Sequence, residues 1–424
     1  MRVLVAGGEG FIGRYIVVAL RAAGHEVVSG ARRPVGGSSI PCDFSRDLDP
    51  GVWASRLQGF DVVVNAVGIL RESGANTFER IHVSGPKALF EGCVLAGVRR
   101  VVHISALGSV EVGEYLASKY RGDAQLAELD LDWTILRPSL VYSASGSYGG
   151  TSLLRAMAAL PGVVVVPSGG QQTVQPIRAE DLAAAVVGLV DKKVAVRETV
   201  LAVGPDQIRL LEYLKTVRRW LELPDAVVVR IPAGISHLVA WIGERSSDGP
   251  LGLTMWRMLQ VGNVAPPGWV QVMAELCGRM PLSVSEAFAE VPSFVQDRWH
   301  ARLYFLGPTL RIALGLVWVA SAAVGFLTPL AQDRALFAAA GISGGAAVPL
   351  VWLGSAVDLV LGVGALVGWR IQWVAALMLA SLVVYTIFVG IAYPSAWIEP
   401  FGGLLKNLPL MPAVLIMGIL AGRR

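Results

Sequence analysis

Two groups of residues in this 424-residue chain have types and spacings suited to chemistry. The first is Gly7, Gly10 and Gly13, which follow the apolar run Val3–Ala6. That run predicts a strand, and Arg14 to Ala23 predicts an amphipathic helix that Gly24 closes. Gly7 lets the chain turn off the strand, Gly10 lets backbone approach a pyrophosphate, and Gly13 lets the helix pack on the sheet. The first helical amides, near Phe11, Ile12 and Gly13, then aim at the anion. The spacing is G-x-x-G-x-x-G, a modified form of the dinucleotide fingerprint. The second group is Tyr115 and Lys119, which the Y-x-x-x-K spacing places one turn apart on one helix face.

These groups need a scaffold, and the pattern supplies one. His25–Val28, Phe60–Asn65 and Arg100–Ser105 are predicted strands, and Glu79–Ala96 is a predicted helix. Strands alternating with helices imply an α/β fold with a Rossmann-type, doubly wound parallel sheet. After the second strand no carboxylate is present to hold a ribose 2′-OH; Arg32 and Arg33 stand there instead. A guanidinium matches a 2′-phosphate, so NADP(H) is favoured over NAD(H), against the plainer reading of a solvated arginine pair. Cys42-Asp43-Phe44 ends another short strand, where Asp43 would meet the adenine amino group and Phe44 flank the ring. Asn65, Ala66, Val67 and Gly68 end the next strand, and the small ones among them let backbone pass beside the cofactor.

The composition points to a second environment. Hydrophobic residues make up 54% and charged residues 16% of the chain, too apolar for a soluble protein of this length. The excess lies beyond about residue 300. Runs near 308–328, 347–368, 371–393 and 404–422 predict four transmembrane helices in an all-α bundle. Arg298, Arg302 and Arg311 precede the first, Arg370 links the second and third, and Arg423-Arg424 end the chain. The opposite loops hold only Arg334 and Lys406, with Asp333 and Glu399 nearby. That asymmetry predicts a multi-pass inner-membrane protein with both termini and the dinucleotide domain in the cytoplasm. Asp358 lies within the second span as either a functional contact or a packing hydrogen bond. The Pro- and Gly-rich stretch 393–410 predicts a re-entrant loop with Trp397 at headgroup level, or else an ordinary connection. The net charge of +4 comes without a dense basic stripe, which argues against nucleic acid. Cys42, Cys93 and Cys277 lack ligand spacing and predict buried thiols in a reducing compartment; no metal cluster is expected. The amino-terminal strand is not patterned as a cleavable signal.

Residues 1 to about 290 resemble the short-chain dehydrogenase/reductase superfamily. They are similar in particular to the atypical branch that includes the NADPH-binding accessory subunit of respiratory complex I. The matching stretches are Gly7–Gly13, Asn65–Gly68, His103–Gly108, Tyr115–Lys119, Leu136–Ser139 and Val174–Asp181. Residues 303–424 resemble the DoxX-like membrane family through Tyr385-Thr386 and 400–409. The first resemblance implies that Tyr115 gives a proton to a substrate carbonyl as hydride arrives. It also implies that Lys119 lowers the tyrosine pKa and holds the nicotinamide ribose, with Pro138 and Ser139 beside the cofactor. The usual serine falls at Ala106, leaving Ser105 or Ser109 to substitute.

The expected domains are therefore 1–300, with a cofactor part to about 145 and a substrate part from about 146, and 301–424. In the substrate part, Leu182–Val190 and Ile208–Leu221 are predicted helices. Ser236–Trp241 and Leu253–Leu259 either form a lipophilic pocket or pack. The leading expectation is a membrane-anchored NADPH-dependent reductase of a lipophilic carbonyl or quinone-like compound. The alternative is a non-catalytic NADPH-binding module that docks a membrane or respiratory partner.

Overall fold

The computed structural model describes residues 1–424 except 35, 37, 193, 247–251, 329–337, 339–346, 399–402 and 423–424. The chain divides into two compact units, Met1–Ala301 and Arg302–Arg424. Of the charged residues expected at the membrane loops and the carboxyl end, Asp333, Arg334, Glu399, Arg423 and Arg424 fall outside the described residues.

In the first unit the strands are β1 (Arg2–Ala6), β2 (Glu26–Ala31), β3 (Ser39–Pro41), β4 (Val62–Asn65), β5 (Arg100–Ile104), β6 (Asp132–Pro138), β7 (Val141–Tyr142), β8 (Val163–Pro167), β9 (Thr173–Val174), β10 (Ile177–Arg178), β11 (Glu198–Ala202), β12 (Ile208–Arg209) and β13 (Val227–Ile231). Seven of them form one parallel sheet in the order β11-β6-β5-β4-β1-β2-β3. The valines of β1 and β4 are buried on both faces, as a parallel sheet covered on each side requires. The helices are α1 (Phe11–Ala22), α2 (Pro50–Arg56), α3 (Gly85–Ala96), α4 (Glu114–Ala127), α5 (Gly150–Ala158), α6 (Ala179–Lys192), α7 (Leu210–Trp220), α8 (Ala233–Ser246), α9 (Leu253–Val261), α10 (Trp269–Cys277) and α11 (Val284–Glu290). One core joins the sheet to α1, α6 and α10 through Ile16, Leu20, Leu182, Leu189 and Met273. The other joins it to α2, α3 and α4 through Trp53, Leu89, Phe90 and Leu126.

Successive connections leave β1 towards β2 on one side and β4 on the other, so a crevice opens at the carboxyl ends of β1 and β4. Register places Ala6 beside Gly30 and Asn65, and Asn65 beside His103. Four strand ends therefore meet at one edge, and the loops predicted to carry chemistry leave from it. A separate core of α5, α7, α11 and the β8–β13 pair contains Leu154, Tyr213, Leu214 and Phe288.

The second unit comprises most of α12 (Val295–Leu327), then α13 (Ala347–Val367), α14 (Ile371–Ala392) and α15 (Asn407–Leu420). Three of these helices are long and apolar enough to cross a membrane, while the fourth apolar helix is shorter. They share a core of Leu314, Trp318, Leu361, Met378 and Val414, yet large apolar side chains such as Val360, Val384 and Ile387 point outward. An apolar outside is what a lipid-facing bundle needs, since only the intrahelical hydrogen bonds then satisfy the backbone. α12 starts well ahead of the expected span and carries Pro308 inside it. Short 3-10 turns occupy Pro394–Trp397 and Leu404–Lys406, and Trp397 packs back on α14 at Gly390.

Candidate functional site

The glycine loop is built to leave no room at its base. Gly7 has φ +78°, and a Cβ there would lie 3.0 Å from the Ala66 carbonyl carbon. A Cβ on Gly13 would stand 2.1 Å from the Gly7 oxygen, so helix and loop meet only if both are glycine. α1 begins at Phe11, earlier than the sequence pattern placed it. Gly10 is extended, and the Arg14 amide donates to its carbonyl as the first helical bond. Phe11, Ile12 and Gly13 thus form the first turn, whose amides lack intrahelical acceptors and can hold an anion. The donor geometry and the closely packed glycines fit a dinucleotide's diphosphate.

Arg32 and Arg33 leave β2 directly at this edge, and both are exposed. The next pair differs from expectation. β3 ends at Pro41, before Cys42. Asp43 Oδ1 accepts from the Ser45 amide and hydroxyl at 3.0 and 2.6 Å, closing a local turn. Phe44 is buried edge-on against Trp53, with ring centroids 5.8 Å apart, and α3 presses on it at Gly85. Its ring belongs to the core.

Asn65 is fully buried, and its amide is spent internally. Oδ1 accepts from the Val67 amide at 3.1 Å, and Nδ2 donates to His103 Nδ1 at 3.1 Å. The turn so fixed carries Ala66, Val67 and Gly68 past the glycine loop. Gly68 lies against Lys119, where an added Cβ would stand 3.0 Å from Nζ.

Tyr115 and Lys119 do share one face of α4. Lys119 is buried, and Nζ donates to the Ile104 and Val67 carbonyls at 3.2 and 3.4 Å, stitching the ends of β5 and β4. Burial lowers its pKa to about 8, with Asp123 opposing the shift. Burial pushes the Tyr115 phenol up to about 12. Its ring sits edge-on to His82 at 5.6 Å and to Phe78 at 6.0 Å. The ring packs, as Met258 does, against the buried cluster of Ala106, Val112 and Leu116.

Ser105 is turned away from this pair. It is buried, and Oγ donates to Asp123 Oδ2 at 3.0 Å. Ser109 caps a short turn by accepting from the Glu111 amide at 3.3 Å. Ser105 is thus engaged with Asp123 and Ser109 with its own turn. Pro138 and Ser139 are likewise buried. The Pro138 carbonyl accepts from the Leu107 amide, the Ser139 amide donates to Ala202, and the Ser139 hydroxyl donates to the Gln175 carbonyl.

The structure adds residues that the sequence reading passed over. His82 Nε2 accepts from the Ile69 amide at 3.1 Å, so the ring proton lies on Nδ1, which donates to Ser118 Oγ at 2.9 Å. Ser118 in turn donates to the Tyr115 carbonyl. Burial and then the Lys119 charge hold the His82 pKa near 2, which keeps it neutral. Gly122 makes this contact feasible, because a Cβ there would lie 2.0 Å from the His82 oxygen. Below it, Asp123 receives both Arg137 Nε and Nη2 at 2.9 and 2.8 Å and faces His103 Nε2 at 3.4 Å. Burial alone would raise the Asp123 carboxyl, but the His103, Ser105 and Arg137 contacts win and lower it. The available signal was the i, i+4 continuation of Tyr115 and Lys119 to Asp123. No group of His, Cys, Asp or Glu suited to a metal occurs among the described residues.

Family models match two segments: an NAD(P)H-binding family over residues 7–193 and the DoxX-like family over 315–415. The chain thus joins an NAD(P)H-binding domain of Rossmann type to a DoxX-like domain. It is similar to NADH dehydrogenase [ubiquinone] 1 alpha subcomplex subunit 9, mitochondrial, of Rattus norvegicus, at 25% identity over 50% of this chain and 59% of the relative. It is also similar to a ceramide reductase of Caulobacter vibrioides, at 28% identity over 44% and 59%. The chain spans about three fifths of the length of these relatives. A human epimerase family protein solved with NADPH shares the fold with a TM-score of 0.52 and 19% identity, over 69% of this chain and 99% of that one. Together the DoxX-like match and the three long apolar helices make this a membrane protein.

Proposed function

We propose that this chain is a membrane-anchored NADPH-dependent oxidoreductase acting on a lipophilic carbonyl or quinone-like compound. The observation that carries the reading is Tyr115 and buried Lys119 at the sheet edge where the glycine loop opens, within a chain that also holds membrane helices. Bound NADPH supplies hydride. The residues of this chain supply the rest. Near pH 7 the Tyr115 hydroxyl keeps its proton and can give it to a carbonyl oxygen, after which the Lys119 ammonium one turn away stabilises the phenolate. Phe11, Ile12 and Gly13 hold the diphosphate, Arg32 and Arg33 the 2′-phosphate, and Ala66 to Gly68 line the cofactor. The name of the Caulobacter relative, a reductase of a lipid, supports a lipophilic substrate.

The membrane part takes four spans in this reading, with α15 as the short fourth. A Cβ on Gly368 would lie 2.4 Å from Arg311 Nη1, so Arg311 shares one end of the bundle with the Arg370 turn. Clustered arginines at that end favour a cytoplasmic location for it, together with residues 1–300.

One observation favours a second reading, an NADPH-binding module without turnover: Ser105 is committed to Asp123, and Ala106 offers no hydroxyl beside Tyr115. The deciding experiment follows NADPH fluorescence in the purified full-length protein on addition of membrane lipid extract. Turnover in wild type, reduced roughly 100-fold or more in Tyr115→Phe with NADPH affinity retained, is expected for the enzyme. Tight binding without NADPH consumption in either protein would replace the first reading by the second.

A further inference from the structure

Helix α8 is amphipathic in the wrong sense for a protein surface. Positions 235, 238, 239 and 242 follow the i, i+3, i+4, i+7 pattern of one helix face. They hold Ile235, Leu238, Val239 and Ile242, and that face looks outward, with Ile235 and Leu238 each 54% exposed. The inward positions are small: Ser236 and Ala240 are buried, and Gly243 is buried beside them. Trp241 extends the apolar surface at 42% exposure. A helix on the surface of a soluble unit reverses this arrangement, so the outward face calls for an apolar phase.

We infer that α8 lies in the bilayer interface, with its Ile235–Leu238–Val239–Ile242 face among the acyl chains. Three features select lipid as the occupant. The chain carries its own membrane-spanning helices, so a bilayer is tethered to this unit permanently. A second run of exposed apolar and aromatic residues, Phe294 just before α12 with Val295 and Trp299 in its first turns, leads towards the span. Trp is a residue of the headgroup level. Exposed Arg230 just before α8 and exposed Arg257 on α9 suit anionic headgroups. The placement also has a consequence for the site. Arg71, from the loop after Gly68, donates to the Gly243 carbonyl of α8 at 3.4 Å, and Met258 of α9 packs, as Tyr115 does, against the cluster of Ala106, Val112 and Leu116. The helical pair that meets lipid is therefore joined to the loop after Gly68 and to the cluster that supports Tyr115, which suits a substrate that partitions into the bilayer. The docking rests on the membrane reading of α12, α13 and α14 and is independent of the chemistry proposed for Tyr115.

The test uses the full chain with Cys277→Ser as background, reconstituted in vesicles of phosphatidylethanolamine and phosphatidylglycerol. Nitroxide labels are placed singly at Leu238→Cys and Ile235→Cys, at exposed Val18→Cys on α1, and at outward-facing Leu377→Cys on α14. Relaxation by oxygen, which concentrates in lipid, is compared with relaxation by a water-soluble nickel complex. The expected result is oxygen-dominated relaxation at 235, 238 and 377 and nickel-dominated relaxation at 18. Nickel-dominated relaxation at 235 and 238, with 377 still in lipid, overturns the docking alone. Protection of 235 and 238 from both reagents overturns it in favour of a protein partner or a second copy. Nickel access at 377 removes the membrane reading, and the proposal with it.

Discussion

At the scale of single residues, the site is governed by what burial does to Lys119. Burial holds its pKa near 8, while the Asp123 carboxylate one turn further along α4 pulls it up. Replacing that carboxylate in Asp123→Asn therefore moves the Lys119 midpoint below 8, read by NMR of the methylated lysine; an unchanged or higher midpoint contradicts the electrostatic account. The sign for stability follows from linkage. A lysine in an unfolded chain titrates near ~10.4, so from about pH 8 to that value the unfolded chain binds the extra proton. Folding stability then rises with pH across this window, and Lys119→Met flattens that part of the curve, as denaturant titrations at several pH values would record. In the proposed reading, exposed Arg32 after β2 holds the 2′-phosphate. A charge-assisted hydrogen bond of about 1.5–3 kcal/mol makes Arg32→Ala weaken NADPH roughly tenfold or more while sparing NADH. Equal losses in fluorescence titrations with the two coenzymes would refute the 2′-phosphate assignment.

At the scale of elements, close approach is bought with glycine in both units. In the membrane unit α12 and α13 cross where Gly315 faces Gly362. A Cβ at 362 would lie 2.8 Å from the Val319 nitrogen and 2.9 Å from the Gly315 oxygen. Small residues at such a crossing let helices associate in lipid, where no hydrophobic effect drives them together. Gly362→Leu is expected to cost about 1–3 kcal/mol by overpacking and to lower the detergent fraction at which the bundle unfolds. Gly354→Leu, with nothing within 4 Å of its Cβ, is the tolerated control. In the first unit the local pattern found α1 and α3 but missed their edges. The helical pattern begins at Arg14, whereas α1 starts at Phe11, so Phe11-Ile12-Gly13 is its first turn. Glu79–Ser84 looked like the start of α3 and is a π-helical turn. That wider turn carries His82, whose ring reaches across to Ser118 and Tyr115.

At the scale of the whole molecule, the two compact units each contain their own buried core. Residues 1–301, expressed alone, should therefore fold and bind NADPH within about threefold of the full-length affinity, since the glycine loop, Arg32, Asn65–Gly68 and Lys119 all lie within them. Isothermal titration of both proteins checks this, and a fragment that fails to bind while remaining folded by circular dichroism would contradict it.

The strand–glycine–helix order, the alternating strands and helices, and the apolar carboxyl-terminal third were legible from the residues alone. Each of these depends on neighbours within a few positions: periodicity, turn-forming residues and local hydrophobicity. Which polar groups meet was not legible. Ser105 finds Asp123 eighteen positions away, and His82 finds Ser118 thirty-six positions away. Phe44 is drawn into the core by Trp53 and Gly85. Those pairings exist only once parallel strands bring distant chain segments to one edge, because a buried polar group takes whatever partner the packed fold places within hydrogen-bond reach.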